Sequence, residues 1–215
     1  MKDTILCLCD LTGVMAKPWV EAGYKTVLVD PQHSGITTHG QITKIGHVID
    51  HPETWQYLRS IKDRVAFVAA FPPCTDLAVS GARWFTDKAS KDKAFQFKAM
   101  QVVWQCHVIA EMMDAPYFIE NPVSQISTYW RKPDCFFHPY QYTGFCAEDN
   151  YTKKTCLWTG GGFTLPAPNQ INLGKPDDRI HKCPPSADRG NIRSATPEGF
   201  AIAVFNHMTA QEQAA

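Results

Sequence analysis

The chain has 215 residues, 44% of them hydrophobic and 20% charged, and its 21 Lys+Arg balance 21 Asp+Glu. That length suits one domain, 1–215, with a full core, and the charge balance excludes binding to nucleic acid through bulk positive charge, so such a partner needs a local basic face. No apolar run approaches the roughly 20 residues that cross a membrane, and Lys2 and Asp3 before the short run Ile5 to Cys9 do not read as a signal peptide. The eight cysteines form no secreted framework and are expected as reduced thiols in a cytoplasmic protein. Cys135, His138, Cys146, Cys156, His181 and Cys183 compose a zinc set on paper, but no Cys-x-x-Cys occurs and no metal site is expected.

Strand and helix signals alternate along the chain, which predicts an α/β fold with a mostly parallel sheet. Thr4 to Cys9 reads as a first buried strand. Pro18 opens a short helix to Ala22, and Gly23 ends it. Thr26 to Asp30 is a second strand and Ile45 to Ile49, before Asp50, a third. Pro52 to Ile61 is a helix with Trp55, Leu58 and Ile61 on one side, and Val65 to Ala70 is a fourth strand. Asp92 to Met113 is the longest helical pattern, with an apolar face from Phe95 to Met113. Tyr117 to Ile119 is a fifth strand, running into Glu120-Asn121-Pro122. Beyond it the alternation fades: 131–192 reads as largely irregular, with a strand at Lys153 to Thr159 and a turn at Gly160-Gly161-Gly162. Thr196-Pro197-Glu198 opens a last helix through about His207.

Phe71-Pro72-Pro73-Cys74 follows the fourth strand. Two prolines forbid helix and hold the chain extended, so a thiol is presented at a strand end, where it can act as a nucleophile. In open α/β sheets the ligand crevice lies beyond the carboxyl ends of the strands, and Asp10, Asp30, Asp50, Cys74 and Glu120 all fall at such ends. Asp10-Leu11-Thr12-Gly13 is a small turn between the first strand and a helix, suited to close approach by a ligand. Asp30 lies about 20 residues further on, the relation in which an acid binds ribose hydroxyls. Gly-x-Gly-x-x-Gly is absent, so an adenosine-bearing cofactor without a pyrophosphate fits better than a dinucleotide.

These motifs resemble, in order and spacing, the DNA cytosine-5 methyltransferases. Their first motif, Asp-x-Phe-x-Gly, is matched by Asp10 to Gly13, their Pro-Cys by Pro73-Cys74, and their Glu-Asn-Val by Glu120-Asn121-Pro122. The chain is most similar to short phage and prophage members, through Gly81-Ala82-Arg83-Trp84, Lys153-Lys154-Thr155-Cys156-Leu157-Trp158 and Arg193-Ser194-Ala195-Thr196-Pro197. The resemblance covers nearly the whole chain. It implies a Rossmann-like S-adenosylmethionine-dependent fold, with a mostly parallel central sheet and helices on both faces. It implies DNA as the partner, a flipped-out or single-stranded cytosine as the substrate, and the cytosol of a bacterial host if the chain is phage-encoded. The cofactor residues it implies are Asp10, Leu11, Thr12, Gly13, Asp30, Asp50 and Pro72, and the catalytic ones Cys74 and Glu120, with Arg83 or Lys154 as a positive neighbour. Thr12 stands where the larger enzymes have Phe, and the interval from Trp158 to Arg193 has no room for their large target-recognition domain.

The residue types suit that chemistry. A thiolate adding at carbon 6 of a pyrimidine makes carbon 5 an enamine carbon able to attack a methyl sulfonium, while an acid at ring nitrogen 3 supports the developing charge. The segment Thr75 to Lys88 reads as a mobile flap over the cleft. Three other readings compete. A related transferase acting on a nucleotide, RNA or a modified base, or using a modified donor, keeps the same residues. An idle binding module needs neither Cys74 nor Glu120. A cysteine hydrolase needs a histidine partner, and none stands in a recognisable motif.

Overall fold

The computed structural model describes residues 2–184, 186 and 189–214. Eight strands form one sheet: β1 (Thr4–Leu8), β2 (Lys25–Val29), β3 (Ile36–His39), β4 (Ile42–Ile45), β5 (Val65–Ala70), β6 (Tyr117–Pro122), β7 (Cys135–Phe137) and β8 (Thr155–Gly160). Their order is β3-β4-β2-β1-β5-β6-β8-β7. The five strands β4, β2, β1, β5 and β6 run parallel, and β3 and β8 run antiparallel to their neighbours. The parallel block grows outward from β1 in both directions, the arrangement of the doubly-wound α/β sheet. Its switch point lies between β1 and β5.

The strands form where short β-branched and apolar runs are bounded by turn residues, and all five residues of β1 and all six of β5 are buried. One face of the sheet packs Leu6, Leu8, Val27, Val29, Val68 and Ile119 against α2 (Pro52–Ile61) and the long helix Phe95–Met112. Ile5, Cys7, Phe67, Ala69 and Phe118, on the other face, meet Trp19 of α1 (Lys17–Glu21) and Phe200, Ala201 and Val204 of the C-terminal helix Glu198–Ala214. Helices on both faces are therefore as expected. The β5 alternation slips once: Thr4 sits opposite Val65 but Ile5 opposite Phe67, so Ala66 is an extra residue in that strand.

Several boundaries differ from the sequence reading. The third parallel strand is Ile42–Ile45, not Ile45 to Ile49, and it is paired with an edge strand, β3, that has no apolar pattern because all four of its residues are exposed. The helix expected from Asp92 to Met113 is α4 (Phe95–Met112), and a short helix the sequence did not suggest, α3 (Phe85–Lys91), precedes it; the two are separated because Asp92 is extended and its Oδ1 accepts the Ala94 N–H. Glu120, Asn121 and Pro122 belong to β6 itself. In residues 131–192 the expected strand at Lys153 to Thr159 is β8, and the region is otherwise less irregular than read: β7 adds an edge to the sheet, and Tyr142 is buried with its hydroxyl donating to Pro166 O. The three remaining helices are α5 (Ile126–Tyr129), α6 (Arg179–Lys182) and α7 (Arg189–Ser194), and the C-terminal helix, α8 (Glu198–Ala214), runs past His207. Among the described residues no helix is long and apolar enough to cross a membrane.

Candidate active site

Cys74 and Glu120 are carried by neighbouring parallel strands, β5 and β6, at the carboxyl edge of the sheet. Phe71 N–H donates to Leu8 O, which keeps the chain in the sheet for one residue past β5. The prolines then leave it extended, and Cys74 O accepts the amides of Leu77 and Ala78, closing a turn behind the thiol. Four contacts lock this turn to β6 and the residues that follow it. Asn121 Nδ2 donates to Pro72 O at 2.9 Å in a buried bond. Beyond the sheet, Ala78 bridges Ser124, Val79 N–H donates to Val123 O, and Gln125 N–H donates to Leu77 O. The two strand ends are thus zipped together, which fixes the thiol relative to the carboxyl.

Residues Phe118 and Glu120 alternate onto the α8 face of β6, while Ile119 and Asn121 turn to the α4 face. Glu120 therefore faces a small cleft lined by Phe71, Phe137, Lys153, Thr155, Thr196 and Phe200. Its Oε1 is sealed from solvent and has no hydrogen-bond partner among the described residues. Burial lifts Glu120 above the ordinary carboxylate range, against the pull of Lys153. Burial likewise pushes the Cys74 thiol up, the Glu120 charge adds to that push, and Lys153 and Arg193 pull it down. Arg193 Nε, from α7, is also buried without a partner. Buried polar groups are nearly always satisfied, so unpaired donors and acceptors gathered at one strand edge mark a place for a polar ligand.

The cationic neighbour differs from the sequence reading. Lys153 is 8% exposed and sends Nζ to Ala195 O. Lys154 points outward, with Nζ 4.3 Å from the centre of the Phe136 ring. Arg83 is exposed and stacks on Trp84 at 5.1 Å. The charges that act on Cys74 come from Lys153 and Arg193 instead. Arg193 carried a signal, the Arg-Ser-x-Thr-Pro segment, but read alone it was only one surface cation among several. The flap expectation is corrected for the start of the segment: Leu77 is buried and residues 77–79 are tied to 123–125, so this part is anchored, while Lys88 folds back on Thr75 O and Asp76 Oδ1 within the segment.

On the other side of the switch point, Asp10 is 4% exposed. Its Oδ1 accepts the amides of Thr12 and Gly13 and the Thr12 hydroxyl. Those amides serve the turn, not a ligand as the sequence suggested. Asp10 Oδ2 remains buried and unpartnered. Gly13 has φ +69°, and a Cβ there would meet Leu28 Cδ1 at 3.0 Å, so the turn requires glycine. Leu11 is half-buried and Thr12 exposed. Asp30 follows β2 directly; it is buried, and its Oδ1 accepts the Gln32 amide. His33 Nε2 lies 3.2 Å from Asp10 O, joining the two turns. Asp50 is not gathered with them: it is exposed, five residues beyond β4, and accepts from Gln105 Nε2. Pro72 is buried and contributes its carbonyl to Asn121.

The paper zinc set of Cys135, His138, Cys146, Cys156, His181 and Cys183 does not assemble among the described residues. The group that does converge is His47, His51 and Glu53, whose ligand atoms lie within 4.8 Å of one another. There His51 Nδ1 is occupied by the Glu53 N–H as the N-cap of α2. Compared with known proteins, the chain matches no family model and no curated sequence.

Proposed function

We propose that this chain transfers a methyl group from S-adenosylmethionine to carbon 5 of cytosine in DNA, with Cys74 as nucleophile and Glu120 as the acid at ring nitrogen 3. The observation that carries the reading is the pairing of a nucleophile and an acid at the ends of adjacent parallel strands, locked by the Asn121–Pro72 bond, with the acid lining a cleft. The cofactor fits the unpartnered Asp10 Oδ2, the glycine-dependent turn at Gly13 and the buried Asp30 beside the switch point. Asp10, Leu11, Gly13 and Asp30 would hold it, and when bound it supplies an electrophilic methyl sulfonium.

The reaction follows from the two side chains. Cys74 loses its proton and its sulfur adds to carbon 6, making carbon 5 nucleophilic. Glu120, whose protonated form burial favours, donates to nitrogen 3 as charge develops there. Lys153 and Arg193 favour the thiolate electrostatically. After methylation, loss of the carbon-5 proton expels the Cys74 thiolate and restores the ring. A base within a duplex would have to leave its stack to reach this cleft.

Labelled S-adenosylmethionine is to be incubated separately with duplex DNA, single-stranded DNA, RNA and dCTP, with nucleoside mass spectrometry as the readout. 5-Methylcytosine in DNA is expected. Cys74→Ser abolishes transfer while keeping cofactor affinity, and a 5-fluorocytosine strand becomes covalently trapped on Cys74. Retention of most activity by Cys74→Ser overturns the mechanism. Product in dCTP or RNA alone selects the second reading, a related carbon-5 pyrimidine transferase, which draws support from the small cleft and the missing recognition domain.

A further inference from the structure

A second concavity, with about 470 Å³ of empty space, lies along the first half of α4 and is lined by Lys93, Phe95, Gln96, Phe97, Met100, Trp104 and Tyr129. Two of its aromatic rings are presented to solvent, Phe97 at 58% and Tyr129 at 50% exposed, while Trp104 is half-buried and leans on the core with part of its surface open. Phe97 and Trp104 lie seven residues apart on one side of α4, their ring centres 6.2 Å apart.

Three observations say what covers this groove. It is joined to the Cys74 turn: Tyr129 Oη donates to Gln96 Oε1, and Gln96 Nε2 donates to Asp76 O, two residues from the thiol. One lining residue, Lys93, is a cation, and the adjoining segment is basic in a chain of zero net charge. Between 83 and 98 there are five cations (Arg83, Lys88, Lys91, Lys93, Lys98) and two anions (Asp87, Asp92), a surplus of three. Lys88 and Lys98 are consumed by Asp76 and Asp92, whereas Arg83, Lys91 and Lys93 form no ion pair among the described residues. Finally, a two-fold contact between copies would set this positive surface against itself, which opposes a homodimer here. Exposed rings interleaved with unpaired cations are the chemistry that holds an unpaired nucleic-acid strand: bases stack on the rings and phosphates meet the cations.

We propose that the α4 groove, with Phe97, Trp104 and Tyr129 as stacking platforms and Arg83, Lys91 and Lys93 as phosphate contacts, binds the single-stranded nucleotides flanking the base presented to Cys74. The inference rests on the nucleic-acid reading of the Cys74 cleft and extends it to the form of the substrate: a strand with unstacked bases, not an intact duplex.

The test is binding of the full chain to a fluorescein-labelled oligothymidylate, without cofactor and without cytosine, followed by anisotropy and by quenching of tryptophan fluorescence. The same measurement is made with a blunt duplex. The strand is expected to bind more tightly than the duplex and to quench tryptophan. Phe97→Ala combined with Tyr129→Ala is expected to weaken strand binding by about tenfold or more, the scale of losing stacked bases. Lys91→Gln with Lys93→Gln is expected to reduce the slope of log affinity against log salt by about 1.4, two phosphate contacts on a single strand. Because the four side chains are exposed, unchanged melting temperatures serve as the folding control. The proposal is overturned if the aromatic variant binds the strand like the parent, if the duplex is preferred, or if the aromatic variant instead dissociates a dimer in sedimentation. Strand binding through this groove in a protein that never methylates cytosine would leave the groove standing and sink the transferase reading alone.

Discussion

Glu120, when ionised, bears on the protonation of the Cys74 thiol, and that influence is measurable residue by residue. A negative Glu120 raises the thiol pKa, so Glu120→Gln is expected to bring it down. In an iodoacetamide time course resolved by peptide mass spectrometry, Cys74 of Glu120→Gln should alkylate faster than in the parent at the same mildly alkaline pH, although methyl transfer falls. Lys153→Met should slow alkylation. Equal rates in all three proteins would separate the two groups. At the cofactor end, Asp30→Asn retains an oxygen for the Gln32 amide but removes the charge. S-adenosylmethionine affinity should fall by about 1–3 kcal/mol by calorimetry, the scale of hydrogen bonds to a charged group. Unchanged affinity would remove Asp30 from the cofactor site. Cys74 and Glu120 were legible because prolines and a strand end are local signals. Lys153 was not, because its side depends on strand parity. It shares the phase of Thr155 and Leu157, which face the same side as Glu120, whereas Lys154 shares that of Cys156.

At the scale of elements, α8 starts against a buried acid. Asp149 Oδ2 accepts the Gly199 amide at 2.7 Å, yet burial pushes this carboxyl up to about 6 from an ordinary 3.8. The folded state therefore holds its proton more tightly than the unfolded state, and this group's contribution to stability declines as pH rises from 3.8 through about 6. Asp149→Asn keeps an acceptor for Gly199 without the charge. Its melting temperature should exceed that of the parent above pH 6, and the advantage should disappear below pH 4. Melting curves differing by the same amount at every pH would show that Asp149 does not titrate in this window. The elements hardest to read were the sheet edges. Strand β3 is exposed throughout, and β7 is three residues long, so neither carries a period that a sequence pattern can reveal.

For the molecule as a whole, the zero formal charge limits how many phosphates it can neutralise. DNA binding is expected to weaken only gently with salt, and bisulfite sequencing of DNA methylated by the isolated chain should report a short or relaxed target. A long, stringent target would refute this reading. Lys153 is buried and Lys154 exposed, so the two adjacent lysines serve different roles. Lys154→Ala alone should lower DNA affinity without altering cofactor binding, since only Lys154 is exposed. Lys153→Ala should damage the reaction itself.

The sequence by itself determined the α/β class, the order of the parallel strands along the chain, the proline-held thiol and the acids at the ends of β1, β2 and β6. Each is written in a few consecutive residues, where proline geometry, apolar runs and turn chemistry act locally. Only the tertiary structure decided which strands are neighbours, and with that the meeting of Cys74 with Glu120, Lys153 and Arg193, residues distant in the chain and brought together at one strand edge. It also removed Asp50 from the site and anchored the start of the expected flap. These outcomes depend on sheet order, strand parity and hydrogen bonds between remote segments, and no local pattern encodes them because burying both faces of one sheet selects them jointly.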